Sequence, residues 1–207
     1  IEISTMAAND ALFYVIQEFN KKESYLGPDK VTSTDMGYIF EELVRKFSES
    51  YNEEAGAHFT SRDIIYLMTD ILLAEDRDLL AGTDVVKTVY DQTMGTSQML
   101  SAMIERIHSF NVDAEVRTFG QELNPETYAI AKADTMIRGG DPDNMALGST
   151  LSNDGFPGYT FDYCISNPPF GIDWKKDKNA VQAEHELGDH GRFSVGLPKI
   201  SDGQLLF

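Results

Sequence analysis

The chain has 207 residues, 42% of them hydrophobic, with 34 acidic against 17 basic side chains and a formal charge of −17. That is enough for a packed core of one or two domains, and no apolar run reaches the roughly 20 residues of a membrane helix. The start lacks a signal-peptide pattern, the single cysteine, Cys164, excludes an internal disulfide or cysteine zinc site, and the acidity is the reverse of a chain that grips DNA unaided.

From Met6 to Phe19 the apolar residues Leu12, Phe13, Ile16 and Phe19 fall on one helical face. A loop with Gly27-Pro28 follows. From Asp35 to Tyr51 the pattern returns at Ile39, Phe40, Leu43, Val44 and Phe47, with Thr34 as the expected cap. Residues 1–55 read as the tail of a helical N-terminal region packed on a domain spanning 56–207. That domain is expected to be α/β.

Val85-Val86-Lys87-Thr88-Val89-Tyr90 is β-branched and aromatic and predicts a buried strand. It runs into the turn Asp91-Gln92-Thr93-Met94-Gly95-Thr96-Ser97. Gln98 to His108 then carries Met99, Leu100, Met103, Ile104 and Ile107 on one helical face. Strand, glycine turn and helix form the first half of a nucleotide-binding unit, with Gly95 letting the backbone approach a ligand. A single glycine is equally compatible with a plain βα loop.

A second strand, Ala114 to Gly120, leads to Glu122, and a helix is predicted from about Pro125 to Ile137. An acid at that strand end can accept both hydroxyls of a ribose. A carboxylate favoured by the helix dipole explains the same residue. A third strand is expected at Asn144 to Leu147.

The apolar strand Phe161-Asp162-Tyr163-Cys164-Ile165-Ser166 passes directly into Asn167-Pro168-Pro169-Phe170. Two prolines remove two backbone donors and fix φ at both positions, and they hold Asn167 extended. The turn is stiff and stands at a strand's carboxyl end, where open α/β sheets bind ligands. The Asn167 side-chain oxygen and the Pro168 carbonyl can each accept one hydrogen of an exocyclic amine, orienting its lone pair. Phe170 can stack on the ring. The competing reading is a strand-ending proline turn with Phe170 filling a core.

Trp174-Lys175-Lys176-Asp177-Lys178 is placed to touch phosphates beside such a ring, or is a solvated loop. His185 and His190 flank Glu186 and Asp189 at a spacing that matches no metal-ligand pattern, so a polar loop and no metal are expected.

With Asp91 to Gly95, Glu122 and Asn167 to Phe170 in this order, the chain resembles the S-adenosylmethionine-dependent N6-adenine DNA methyltransferases. It is most similar to the modification (M) subunit of type I restriction–modification systems. Gly56-Ala57-His58-Phe59-Thr60-Ser61-Arg62-Asp63-Ile64-Ile65 is similar to that family's "FTPR" segment. The resemblance runs from about Gly37 to the last residue.

It implies a Rossmann-like sheet and transfer of a methyl group from S-adenosylmethionine to the N6 of a flipped adenine. Asn167, Pro168, Pro169 and Phe170 are then the catalytic set. Ala57, His58, Phe59, Thr60, Ser61, Arg62, Asp91, Thr93, Met94, Gly95 and Glu122 are the cofactor set, with the 57–62 segment at the methionine end. The implied partners are DNA, a specificity (S) subunit that reads it, a restriction (R) subunit and a second M subunit, in the bacterial cytoplasm.

The chain departs from the pattern in four places. Gln92 replaces a proline, Ser97 a second glycine, Ser61 the proline of "FTPR", and Ser149 an acid expected to bond the cofactor's adenine. No strand-like run follows Phe170, so only the first four strands are expected, with 161–166 as an open edge. Two alternatives remain: a scaffold that keeps the fold without activity, and methylation of another planar amine, such as a glutamine amide or guanine.

Overall fold

The computed structural model describes residues 2–27, 29–50 and 60–207. The boundary expected at residues 55–56 lies outside them, as do Ala57, His58 and Phe59. Helices α1 (Glu2–Ala8) and α2 (Ala11–Phe19) replace the single helix expected over Met6 to Phe19. The break falls at a polar Asn-Asp pair: Asp10 takes a left-handed φ of 57°, and Asn9 bonds the Thr5 carbonyl through both its backbone and its side chain.

Helix α3 (Ser33–Ser50) begins earlier than expected. Thr32 caps it in place of Thr34: its hydroxyl oxygen accepts from the Asp35 N–H, while Asp35 accepts from the Thr32 N–H and hydroxyl. α3 packs against α7 (Pro125–Ile137), with Gly37 beside the Arg138 guanidinium. α2, by contrast, buries none of its side chains.

Four strands make one parallel sheet: β1 (Val86–Asp91), β2 (Glu115–Glu122), β3 (Met145–Leu147) and β4 (Tyr163–Cys164). Their spatial order is β3-β2-β1-β4. The chain steps outward from β1 to β3 and then returns to the far side of β1. The direction therefore reverses between β1 and β4, and a crevice opens at the carboxyl ends there.

Helices α4 (Arg62–Leu72), α5 (Arg77–Leu80), α6 (Gln98–Phe110) and α7 contribute to the core on one face of the sheet. Met99, Leu100, Met103 and Ile107 of α6 are buried, each contributing about 1.5–3 kcal/mol, while Ile104, expected on the same face, is half-buried. The other face is covered by the loop after β3. Phe156, Tyr159 and Phe161 gather there against Tyr90 and Phe119.

The fourth strand is shorter than 161–166 because Asp162 uses its carboxylate in place of the ladder. The carboxylate accepts from the Thr88 N–H and hydroxyl, each at 2.8 Å. Cys164, expected in a buried strand, is exposed. Among the described residues β4 pairs with β1 alone, and Cys164 lies in register with Tyr90 at this edge. The segment after Phe170 adds no strand to that edge. It folds into α8 (Lys178–His185) and a second small core of Leu151, Trp174, Val181 and Phe193. His185 thus ends a helix, not a polar loop, and its Nδ1 lies 2.6 Å from the Phe193 carbonyl.

Candidate active site

The crevice has a volume of about 650 Å³, within the range of small-molecule sites. Three strand ends and the Asn167 turn line it: Gln92, Thr93 and Gly95, Gln121 to Leu123, Gly148 to Leu151, and Asn167 to Phe170, with Ile172, Asp177 and Phe207.

The turn after β1 is fastened from both sides. The Asp91 carboxylate accepts from the Thr93 N–H at 3.0 Å, and the Thr93 and Ser166 hydroxyls share a 2.6 Å hydrogen bond. Met94 donates its N–H to the Gln121 carbonyl at 3.0 Å. The Gly95 N–H donates to Glu122 Oε2 at 3.0 Å, and Asn124 N–H donates to Oε1 at 2.7 Å. Two backbone donors hold the Glu122 carboxylate still while each oxygen keeps acceptor capacity. Gly95 sits at a φ of +53°, and a Cβ there would meet nothing, so conformation rather than space calls for glycine.

Gln121, fully buried, ties β2 to the next loop. Its Nε2 donates to the Gly148 and Asn153 carbonyls, and its Oε1 accepts from the Gly155 N–H. Thr150 donates its hydroxyl to the Gln92 carbonyl at 2.6 Å. Arg192 donates to the Thr150 carbonyl at 2.7 Å and to Glu184. The second small core therefore stands as a wall of the crevice.

At the turn itself, Phe170 is 76% exposed, which removes the core-filling reading. Asn167 Nδ2 donates to the Thr60 hydroxyl at 3.0 Å. Among the described residues its Oδ1 has no hydrogen-bond partner, so the amide presents a spare acceptor.

Of the sequence-derived site residues, Thr93, Gly95, Glu122, Asn167, Pro168, Pro169 and Phe170 share the crevice. Asp91 does not reach it. It is 1% exposed beneath the turn, and burial pushes its carboxyl up to about 7. Met94 is also buried, its sulfur packed at Gly120. Thr60 meets the crevice only through Asn167. Ser61 precedes α4 without a side-chain capping bond, and Arg62 lies over the Tyr38 ring. Gln121, Thr150, Leu151 and Asp177 also line the crevice, though no motif in the sequence marks them and only the fold brings them in.

The model of the N-6 DNA methylase family matches residues 31–205. The chain belongs to that family. Among curated relatives, the MjaIX type I restriction enzyme methylase subunit of Methanocaldococcus jannaschii is 27% identical over 188 residues, covering 90% of this chain and 30% of that protein. The HindI methylase subunit of Haemophilus influenzae is 24% identical, covering 87% and 36%. Among solved structures, the type I restriction–modification methyltransferase subunit of Streptococcus thermophilus superposes with a TM-score of 0.58 at 26% identity, over 82% of this chain and 34% of that one. The chain thus spans about a third of the length of these methylase relatives.

Proposed function

We propose that this chain forms the cofactor- and base-binding part of a DNA adenine-N6 methyltransferase, acting as the M subunit of a type I restriction–modification assembly. The observation that carries this reading is the meeting of Glu122 and the Asn167–Phe170 turn around one crevice at the sheet's switch point. The names of the relatives, all type I methylase subunits, point the same way.

The crevice fits S-adenosylmethionine in its donors and acceptors. Glu122 would hold the ribose hydroxyls, and Thr93 and Gly95 would border the chain leading to the sulfonium. When bound, the cofactor supplies an electrophilic methyl carbon. The protein's own task is to present a poor nucleophile well. Asn167 Oδ1 and the Pro168 carbonyl accept the two amine hydrogens of an extruded adenine and draw its lone pair out of the ring. The Thr60 hydroxyl accepts from Asn167 Nδ2, and in that orientation Oδ1 is the amide atom left to accept from the amine. Phe170, exposed at the rim, stacks on the base. DNA grip and sequence choice belong to a specificity subunit, in keeping with the acidic charge of this chain.

The test is Asn167→Ala in the complete subunit with its specificity partner. Methyl transfer to adenine is expected to fall by about a hundred- to a thousandfold, as for loss of a charge-orienting group. Calorimetric binding of S-adenosylmethionine should change less than about twofold. Retained transfer would remove the assigned role, and transfer to guanine or a glutamine amide in place of adenine would shift the substrate.

A further inference from the structure

We infer that Asp177 is the residue by which this crevice selects an amino-bearing purine. The inference rests on reading the crevice as a nucleoside site.

Asp177 is the residue before α8, a position where a carboxylate ordinarily accepts the first backbone N–H groups and steadies the helix by about 1 kcal/mol. Here it makes no such bond. Its Oδ1 instead accepts two hydroxyls from the loop after β3, Ser149 at 2.9 Å and Ser152 at 2.5 Å. Among the described residues Oδ2 has no hydrogen-bond partner. The side chain lines the crevice, on the same wall as Ser149 and Leu151. Two anchors on one oxygen fix the carboxylate and leave the other oxygen to accept.

The cavity that Asp177 lines also has apolar walls, to which Leu123, Leu151, Ile172 and Phe207 contribute. A flat ring fits between such walls. Glu122, at the end of β2, sets the place of the ribose, so the ring attached to it extends toward the loop after β3. An ionised carboxylate only accepts hydrogen bonds. It therefore favours a ring edge bearing an amino group and opposes one bearing a carbonyl. The acid expected at Ser149 is thus supplied from another segment. Ser149 becomes its anchor.

Calorimetric titration of this chain with S-adenosylhomocysteine and its inosine counterpart, S-inosylhomocysteine, tests the inference, since the ligands differ only along one ring edge, where the 6-amino group and the N1 acceptor of the first become a 6-carbonyl and an N1–H in the second. The wild type should bind the adenosyl ligand at least about tenfold more tightly, the discrimination of one polar contact. Asp177→Asn, of the same shape, should abolish or invert that preference. Glu122→Gln should weaken both ligands equally, because the ribose is common to them. An unchanged preference in Asp177→Asn with normal binding would overturn the role of Asp177 and leave the nucleoside reading standing. Failure of the wild type to bind either ligand at millimolar concentration would overturn the nucleoside reading itself, and the inference with it.

Discussion

Asp91, expected at the cofactor, lies buried beneath the turn and outside the crevice lining. Its place at the end of a strand marks it as a ligand contact, but the side chain points into the protein and holds the turn from below. Burial raises its carboxyl to about 7, against the bonds from Thr93 and Ser166 that favour the ionised form. A carboxyl raised on folding binds its proton more tightly in the native state. Its contribution is therefore fully present below the ordinary value of 3.8 and is lost as pH rises toward about 7. Stability should decline across that window, and Asp91→Asn should flatten the decline. Urea denaturation at a series of pH values measures it; a profile of the same slope in the variant would remove Asp91 as its source. Asn167 differs, because its amide was legible as an acceptor from residue type and neighbouring prolines alone.

At the level of elements, the turn between β1 and α6 deviates most from its expected form. Ser97 stands where the resemblance calls for a second glycine, yet it adopts the glycine-like conformation, with φ at 74° just before α6. A side chain in the left-handed region costs about 1–2 kcal/mol. The hydroxyl makes no capping bond to offset this. Ser97→Gly should raise stability by about 1 kcal/mol after the greater freedom of the unfolded chain is counted. For a chain of this size that is about 2–4 °C in the melting temperature, readable by circular dichroism. A lower melting temperature would show that the Ser97 side chain supports the turn. α7 shows the opposite case, since Pro125 opens it at the predicted place, with Asn124 as its cap. α8 was not expected, because its single buried residue, Val181, gives no apolar stripe.

For the molecule as a whole, a charge of −17 decides what the chain can hold alone. Lys175, Lys176 and Lys178 are exposed beside the crevice, but three cations release too few counterions to outweigh the remaining acidic surface. Fluorescence anisotropy in about 0.15 M salt should show duplex DNA binding weaker than about 10⁻⁴ M for this chain alone. Micromolar binding with a steep salt dependence would contradict that. The amino-acid sequence by itself determined the order and kind of the main elements, the Asn167 turn and the acid at Glu122. Periodicity, proline stiffness and turn chemistry act within windows of a few residues. Only the tertiary structure decided which of these meet. Thr60 reaches Asn167 across 107 positions, and Ser149 reaches Asp177 across 28. Such partners are chosen by the way the sheet reverses direction and by what then packs beside it, and no local pattern encodes that choice.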